Sequence, residues 1–270
     1  MEFTSSVLEI EHSGHVATLW LNRPDKLNAI NMDMWQDLPK AMHALAENAE
    51  VRAIVIAGRG KGFCVGIDLQ SLTGSADLST AAGCVAQQHA TKICQDAITA
   101  VADCPLPVIA AIHSHCLGAG VDLATACDIR LASDDAAFGV RETKIGIVAD
   151  VGTLQRLPAI VGAGHVAELC YTGKDIGAER AQEIGLINHR FDDVDALQAG
   201  AQAMAQEIAA NAPLAVRGTK LMLQQGENMT TEQSLLLNGL LTMTTTLNSE
   251  DLKEAMMAFM QKRKPTFTGK

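Results

Sequence analysis

Residues 7–11 alternate apolar and polar side chains, and residues 15–21 do so again after a Ser13-Gly14 turn. A period of two puts one side of each segment into a core, which predicts a hairpin of two half-buried strands. The period then lengthens. Met34, Leu38, Ala41, Met42 and Leu45 share one face of a helix over residues 31–48, which Pro39 tightens or bends. A β-branched run at 52–57 predicts a strand that ends in the loop Gly58-Arg59-Gly60-Lys61-Gly62. Residues 72–83, rich in Ser, Thr, Ala and Gly, read as a loop, and 85–102 as a long helix. Beyond Pro105 and Pro107 come a strand at 108–112, a helix opened by Gly118-Ala119-Gly120 and running through 126, and strands at 129–132 and 137–140. Strands alternating with helices predict an α/β core of crossover units.

From Thr153 onward the pattern is almost all helical. Asn211-Ala212-Pro213 separates a helix over about 193–210 from the next. Thr230 and Gln233 have capping-box spacing ahead of the run 235–247, and Asn248-Ser249-Glu250-Asp251 opens the last helix with two acids where its dipole favours them. No internal repeat interrupts this order. It divides the chain near residue 195, into an α/β core over 1–195 and a helical part over 196–270, with KRKPTFTGK as a partly ordered tail.

Composition narrows the classes. Of 270 residues, 48 % are hydrophobic and 19 % charged, which excludes a disordered chain. Twenty-one Lys and Arg against 31 Asp and Glu give a net charge of -10, the wrong sign for a general nucleic-acid or anionic-membrane binder. Seven cysteines, an odd number without a CxxC pair, predict reduced and mostly buried thiols in a cytoplasmic protein, not a disulfide framework or a zinc site. The first residues lack a secretory pattern, no apolar run has membrane-spanning length, and Phe-Thr-Gly-Lys is not a peroxisomal address.

Three stretches could carry chemistry. Phe63-Cys64-Val65-Gly66-Ile67-Asp68-Leu69 follows a strand, and its glycine permits a sharp turn that exposes the next backbone N–H; it could equally be an ordinary connection. His113-Ser114-His115-Cys116-Leu117-Gly118-Ala119-Gly120 runs from a strand into a helix start, where free N–H groups and the helix dipole would stabilise an oxyanion. It is neither a P-loop nor a dinucleotide fingerprint, and His113 and His115 read as loop residues that bond locally, since no matching metal-ligand set accompanies them. The third is a set of acids in apolar sequence: Asp122, Glu142 and Asp150. Loss of hydration would raise their pKa values and let them exchange protons near neutrality. Asp122 and Asp150 also fit helix capping.

Together these stretches resemble the crotonase superfamily of enoyl-CoA hydratases and isomerases, from Leu21-Asn22-Arg23-Pro24-Asp25-Lys26-Leu27-Asn28-Ala29-Ile30 through both glycine loops to Ala212-Pro213-Leu214-Ala215-Val216. Within it, Asp122, Glu142 and Asp150 with Gly66-Ile67-Asp68-Leu69 are similar to the dienoyl-CoA isomerases; hydratases usually have Glu, Glu and a small residue at the three acid positions. Ala119 departs from the family's usual Gly but keeps its N–H.

The resemblance implies a spiral of repeated ββα units with a helical C-terminal region that makes a homotrimer or a dimer of trimers. It implies an acyl-CoA thioester whose carbonyl oxygen lies between the N–H groups of Ile67 and Ala119, with no cofactor besides the substrate's own CoA and no metal. Glu142 and Asp150 would be the proton-transfer pair, in an order the sequence leaves open, with Asp122 orienting or tuning them. Lys26, Leu27, Ala29, Gly66, Asp68, Leu69 and Gly118 would line the CoA side, with Lys262 or Lys264 reaching a neighbour's site. The implied reaction is isomerisation of 3,5-dienoyl-CoA to 2,4-dienoyl-CoA. The rivals are hydration of a 2-enoyl-CoA, with Glu142 and Asp122 holding the water, and a non-catalytic crotonase-fold protein that binds acyl-CoA or RNA.

Overall fold

The computed structural model describes residues 3–72, 76–226 and 228–270. The hairpin forms, with β1 (Leu8–Ser13) antiparallel to β2 (Val16–Leu21), but β2 is not half-buried: Ala17, Leu19 and Leu21 pack into one core cluster and Val16 and Trp20 into another, so both its faces are covered. From there the sheet is parallel. β3 (Ala53–Gly58), β4 (Val108–Ile112), β6 (Ile129–Ser133) and β9 (His189–Phe191) add in turn to β2. A second sheet holds β5 (His115–Leu117), β7 (Ala137–Gly139) and β8 (Ile176–Gly177).

The spiral follows from this bookkeeping of strands. β3 leads through a bridge at Cys64 to helix α2 (Ala81–Ala102), and Cys64 pairs with Cys116 of β5. β4 leads through β5 to α3 (Ala119–Ala126), and β6 through β7 to α4 (Thr153–Val161). Each turn adds one strand to the large sheet, one strand or bridge to the small one, and a helix outside, which is the ββα repeat.

The large sheet is buried on both faces, as parallel sheets are. Ile54, Ile56, Val108, Ala110 and Ile112 pack in one cluster with Met34, Trp35, Leu38 and Leu45 of α1 (Met32–Glu47). Their alternates Val55, Ala57, Ile109 and Ala111 pack in a second cluster with Leu197, Ala201 and Ala205 of α7 (Val194–Ala209). The sheet's packing partner therefore continues to residue 209, past the division near 195 that the pattern suggested.

Three other expectations are adjusted. α2 begins at Ala81, because the Thr80 hydroxyl caps the Gly83 N–H, so the expected loop at 72–83 is shorter; residues 73–75 of it lie outside the described residues. The region after Thr153 is almost all helical, as expected, but it adds two short strands. Between α5 (Ala163–Thr172), α6 (Ala178–Glu183) and α7 lie β8 and β9, too short to show a period. Third, the tail is anchored. After α8 (Pro213–Gly226) and α9 (Thr231–Leu241), whose Thr230–Gln233 capping box is present, α10 spans Glu250–Gln261. The chain then returns, and the buried Asp251 carboxylate accepts the N–H groups of Thr268 (2.7 Å) and Gly269, while Arg52 holds the Phe267 carbonyl at 2.9 Å. Asp251→Ala removes both carboxylate bonds and should speed tryptic cleavage after Arg263; cleavage at the wild-type rate would show that the other contacts suffice.

Candidate functional site

The segment after β3 runs beside β5. Phe63 N–H donates to the His113 carbonyl (2.9 Å), Cys64 N–H to His115 (2.8 Å), and Leu117 N–H back to Cys64 (3.0 Å). The approach is backbone to backbone, and glycines permit it. A Cβ on Gly120 would stand 2.7 Å from the Cys64 carbonyl oxygen. Gly66 has φ +99, and its Cβ would stand 2.9 Å from the Leu117 oxygen and 3.5 Å from the Ala119 nitrogen.

Ile67 is gripped from one side only. Ile30 N–H donates to the Gly66 carbonyl (2.8 Å), and Asp68 N–H donates to the Ile30 carbonyl (2.9 Å). In an extended segment alternate residues point opposite ways, so the Ile67 N–H is turned away from Ile30. Ala119 opens α3, where first-turn N–H groups lack intrahelical acceptors. Among the described residues neither N–H donates to the chain. Two free donors thus flank the Gly66–Gly118 contact.

Gly66→Ala would carry left-handed strain of about 1–3 kcal/mol as well as that clash. The expected result is a lower melting temperature and kcat reduced by about 10- to 100-fold, since donors displaced by a fraction of an ångström stabilise the transition state poorly. Gly14→Ala, at φ +59 with nothing within 4 Å, should lower stability without the loss of kcat. Equal kcat values for the two variants would exclude the crowding account.

The acids divide. Asp122, 1 % exposed on α3, accepts the Thr153 N–H at 2.5 Å. It therefore caps α4 from a distance and not the helix that carries it. Burial pushes its carboxyl up; the Thr153 bonds and the Arg156 charge oppose this, and the Asp150 charge adds to it. Glu142 opens a short turn of 3-10 helix after β7 and is 9 % exposed. One carboxyl oxygen, Oε2, is buried without a hydrogen-bond partner, and the other lies 3.3 Å from where a Gly118 Cβ would stand. Burial raises its pKa most, and Asp122 and Asp150 raise it further. Asp150 departs from expectation. It is exposed, not set in an apolar pocket, because the apolar residues before it point outward: Ile145, Ile147 and Val148 are exposed, Val148 by 71 %. Nor does it cap α4, whose cap is Gly152. Its carbonyl accepts Gln95 Nε2 at 2.7 Å. Its charge still reaches the other two acids, so the three form one electrostatic cluster.

The Lys26–Ala29 loop abuts this site. Lys26 is exposed, Leu27 half-buried and Ala29 buried, and Leu27 hands its carbonyl to the Val65 N–H at 3.2 Å. Leu69 is exposed, while Gly66 is buried and Asp68 half-buried. Lys262 and Lys264 are exposed beyond α10. Sequence reasoning missed two members. Asn28 is fully buried at φ +57, and Arg23 reaches across to Asp68. The available signal was an Asn beside a proline turn, since Asn tolerates the left-handed region. His115 bonds locally, to the Ser114 hydroxyl, whereas His113 is buried and bonds to the Gly60 carbonyl, 53 residues away. Among the described residues no cluster of three metal ligands occurs, all seven cysteines are free, and no helix is long and apolar enough to cross a membrane. Burial lifts the Cys64 thiol, behind Gly66, to about 12, so it stays protonated.

The family described as enoyl-CoA hydratase/isomerase matches residues 11–270. The chain is 42 % identical over 270 residues to the peroxisomal Delta(3,5)-Delta(2,4)-dienoyl-CoA isomerase of Arabidopsis thaliana, covering 98 % of this chain and 96 % of that protein. It is 38 % identical to the mitochondrial protein of the same name from Dictyostelium discoideum, over 96 % of this chain and 90 % of the other. Among solved structures, enoyl-CoA hydratase from Bacillus anthracis superposes with a TM-score of 0.91 at 31 % identity, covering 98 % of this chain and all of that one. The fold agrees with these likenesses: the chain is an enzyme of the crotonase superfamily and belongs to its enoyl-CoA hydratase/isomerase family.

Proposed function

We infer that the chain isomerises 3,5-dienoyl-CoA thioesters to 2,4-dienoyl-CoA. The observation that carries this is the Glu142 carboxyl, buried with one oxygen unpartnered, against the glycine that sets the Ala119 donor. A thioester oxygen between the Ile67 and Ala119 N–H groups would place the adjacent carbon, C2, on the Glu142 side. Glu142 then takes a proton from C2, the C2–H electron pair moves into the conjugated system, and negative charge gathers on the thioester oxygen. Each donor aimed there stabilises that charge by ~3 kcal/mol. Asp150, farther out on the exposed stretch, delivers a proton to C6. One C–H bond breaks, one forms and both double bonds shift, so no redox group or added water is needed. The names of the Arabidopsis and Dictyostelium relatives support this substrate class, as does the Asp122, Glu142 and Asp150 set.

The CoA side of the reading takes in Lys26, Leu27, Ala29, Gly66, Asp68, Leu69 and Gly118. A homotrimer or dimer of trimers belongs to it too, supported by apolar side chains left uncovered on α9 and α10, among them Leu235, Leu236, Met256 and Phe259, the last 86 % exposed. A cytoplasmic location has the free thiols in its favour, while the two relatives are named as peroxisomal and mitochondrial. The deciding assay offers a 3,5-dienoyl-CoA and crotonyl-CoA in parallel. Isomerisation, followed by the absorbance of the conjugated 2,4-dienoyl thioester, should exceed hydration in kcat/KM. The reverse order would overturn the reading in favour of a hydratase, and turnover of neither substrate would overturn it outright.

A further inference from the structure

We propose that Arg23 and Asn28 are positioning residues that set the aim of the Ile67 N–H. This rests on the oxyanion reading above and extends it to two side chains that do not touch the thioester. The Arg23 guanidinium donates to the Ala29 carbonyl and, at 3.0 Å, to Asp68 Oδ2. Asn28 uses its whole amide: Nδ2 donates to the carbonyls of Arg59 (3.0 Å) and Gly62 (2.8 Å), and Oδ1 accepts the Arg23 N–H (2.8 Å).

These bonds lie on both sides of Ile67. Ile30, which brackets Ile67 through the Gly66 carbonyl and the Asp68 N–H, directly follows Ala29, whose carbonyl Arg23 holds. Asp68 directly follows Ile67, and Arg23 holds its carboxylate. One planar cation therefore clamps the residue before the bracket and the residue after the donor. Asn28 ties the same loop to Gly62, at the start of the segment that carries the donor. The loop needs such fixing. Leu27 and Asn28 both stand in the left-handed region, at φ +48 and +57, an arrangement two non-glycine residues keep only when their surroundings impose it. The ion pair is well placed for this role, since both side chains are largely shielded, at 17 % and 15 % exposure. Lysine could not replace it, because a single ammonium lacks the fork that spans two acceptors.

The test compares wild type, Arg23→Met and Arg23→Lys, with folding checked by circular dichroism and melting temperature. Each is titrated with 2,4-dienoyl-CoA, whose conjugated carbonyl shifts its absorbance to the red when hydrogen-bond donors polarise it. Expected for both variants are an affinity within a few-fold of wild type, a smaller red shift, and kcat lowered by about 10- to 100-fold. A red shift and kcat equal to wild type would overturn the proposal. So would weakened affinity at unchanged kcat, which would make Arg23 a CoA contact. If Arg23→Met does not fold, Arg23→Lys decides by the same readings. The red shift requires no turnover, so a wild type that shifts the chromophore without isomerising it sinks the isomerase reading alone; a wild type without a shift sinks the oxyanion reading, and this proposal falls with it.

Discussion

Glu142→Gln should lower isomerase turnover by about 10²- to 10⁴-fold, the usual range for a lost proton-transfer group, while affinity for the thioester changes little. The variant keeps the volume of the side chain and cannot take a proton. The stability of wild type should respond to pH in a defined direction. Burial raises the Glu142 pKa above its ordinary 4.5, so the folded state binds this proton more tightly than the unfolded state does. That advantage is complete below about 4.5 and is lost as pH rises through the raised folded value. Wild type should therefore lose melting temperature relative to Glu142→Gln between pH 4 and neutrality, by an amount that levels off once Glu142 is ionised. A difference independent of pH would mean that Glu142 is not titrating in a desolvated place. Turnover within a few-fold of wild type would remove it from the chemistry.

What the chain reveals before folding depends on whether a signal is local. The hairpin alternates every two residues in sequence, α1 repeats every 3.6, and the strands at 53–58, 108–112 and 129–133 are short, largely apolar runs; all are local signals, and the elements they predict form. β5, β8 and β9 have three, two and three residues, too few for a period; they exist because neighbouring strands offer them hydrogen-bond partners. The same distinction runs through the site. Gly66 and Gly118 were legible because only glycine adopts such turns without strain. Asp122 and Asp150 stand in similarly apolar sequence, yet one is buried and the other exposed, and sequence context carries no sign of which way a loop faces. Arg23 and Asn28 act through partners 31 to 45 residues away, a separation that no motif spacing records.

Asp150→Asn should lower 3,5-dienoyl-CoA isomerisation by about 10²- to 10³-fold, even though Asp150 is exposed. Exposure in the free chain does not bar a proton-transfer role, because Ile145, Ile147 and Val148 beside it offer an apolar wall that an acyl chain would cover. The variant separates the two half-reactions. If Glu142 serves C2 and Asp150 serves C6, Asp150→Asn should still exchange the C2 protons of the bound thioester with deuterated solvent, whereas Glu142→Gln should not. A second consequence follows from charge. Asp150 is one of the two neighbouring acids that raise the Glu142 pKa, so its neutralisation should move the acid limb of C2 exchange to lower pH, with burial leaving the remainder of the shift in place. Loss of C2 exchange in Asp150→Asn, with exchange retained in Glu142→Gln, would reverse the assignment of the pair. Isomerisation at near wild-type rate would leave Asp150 a surface charge, and the crotonyl-CoA assay would then decide whether Glu142 and Asp122 act on water instead.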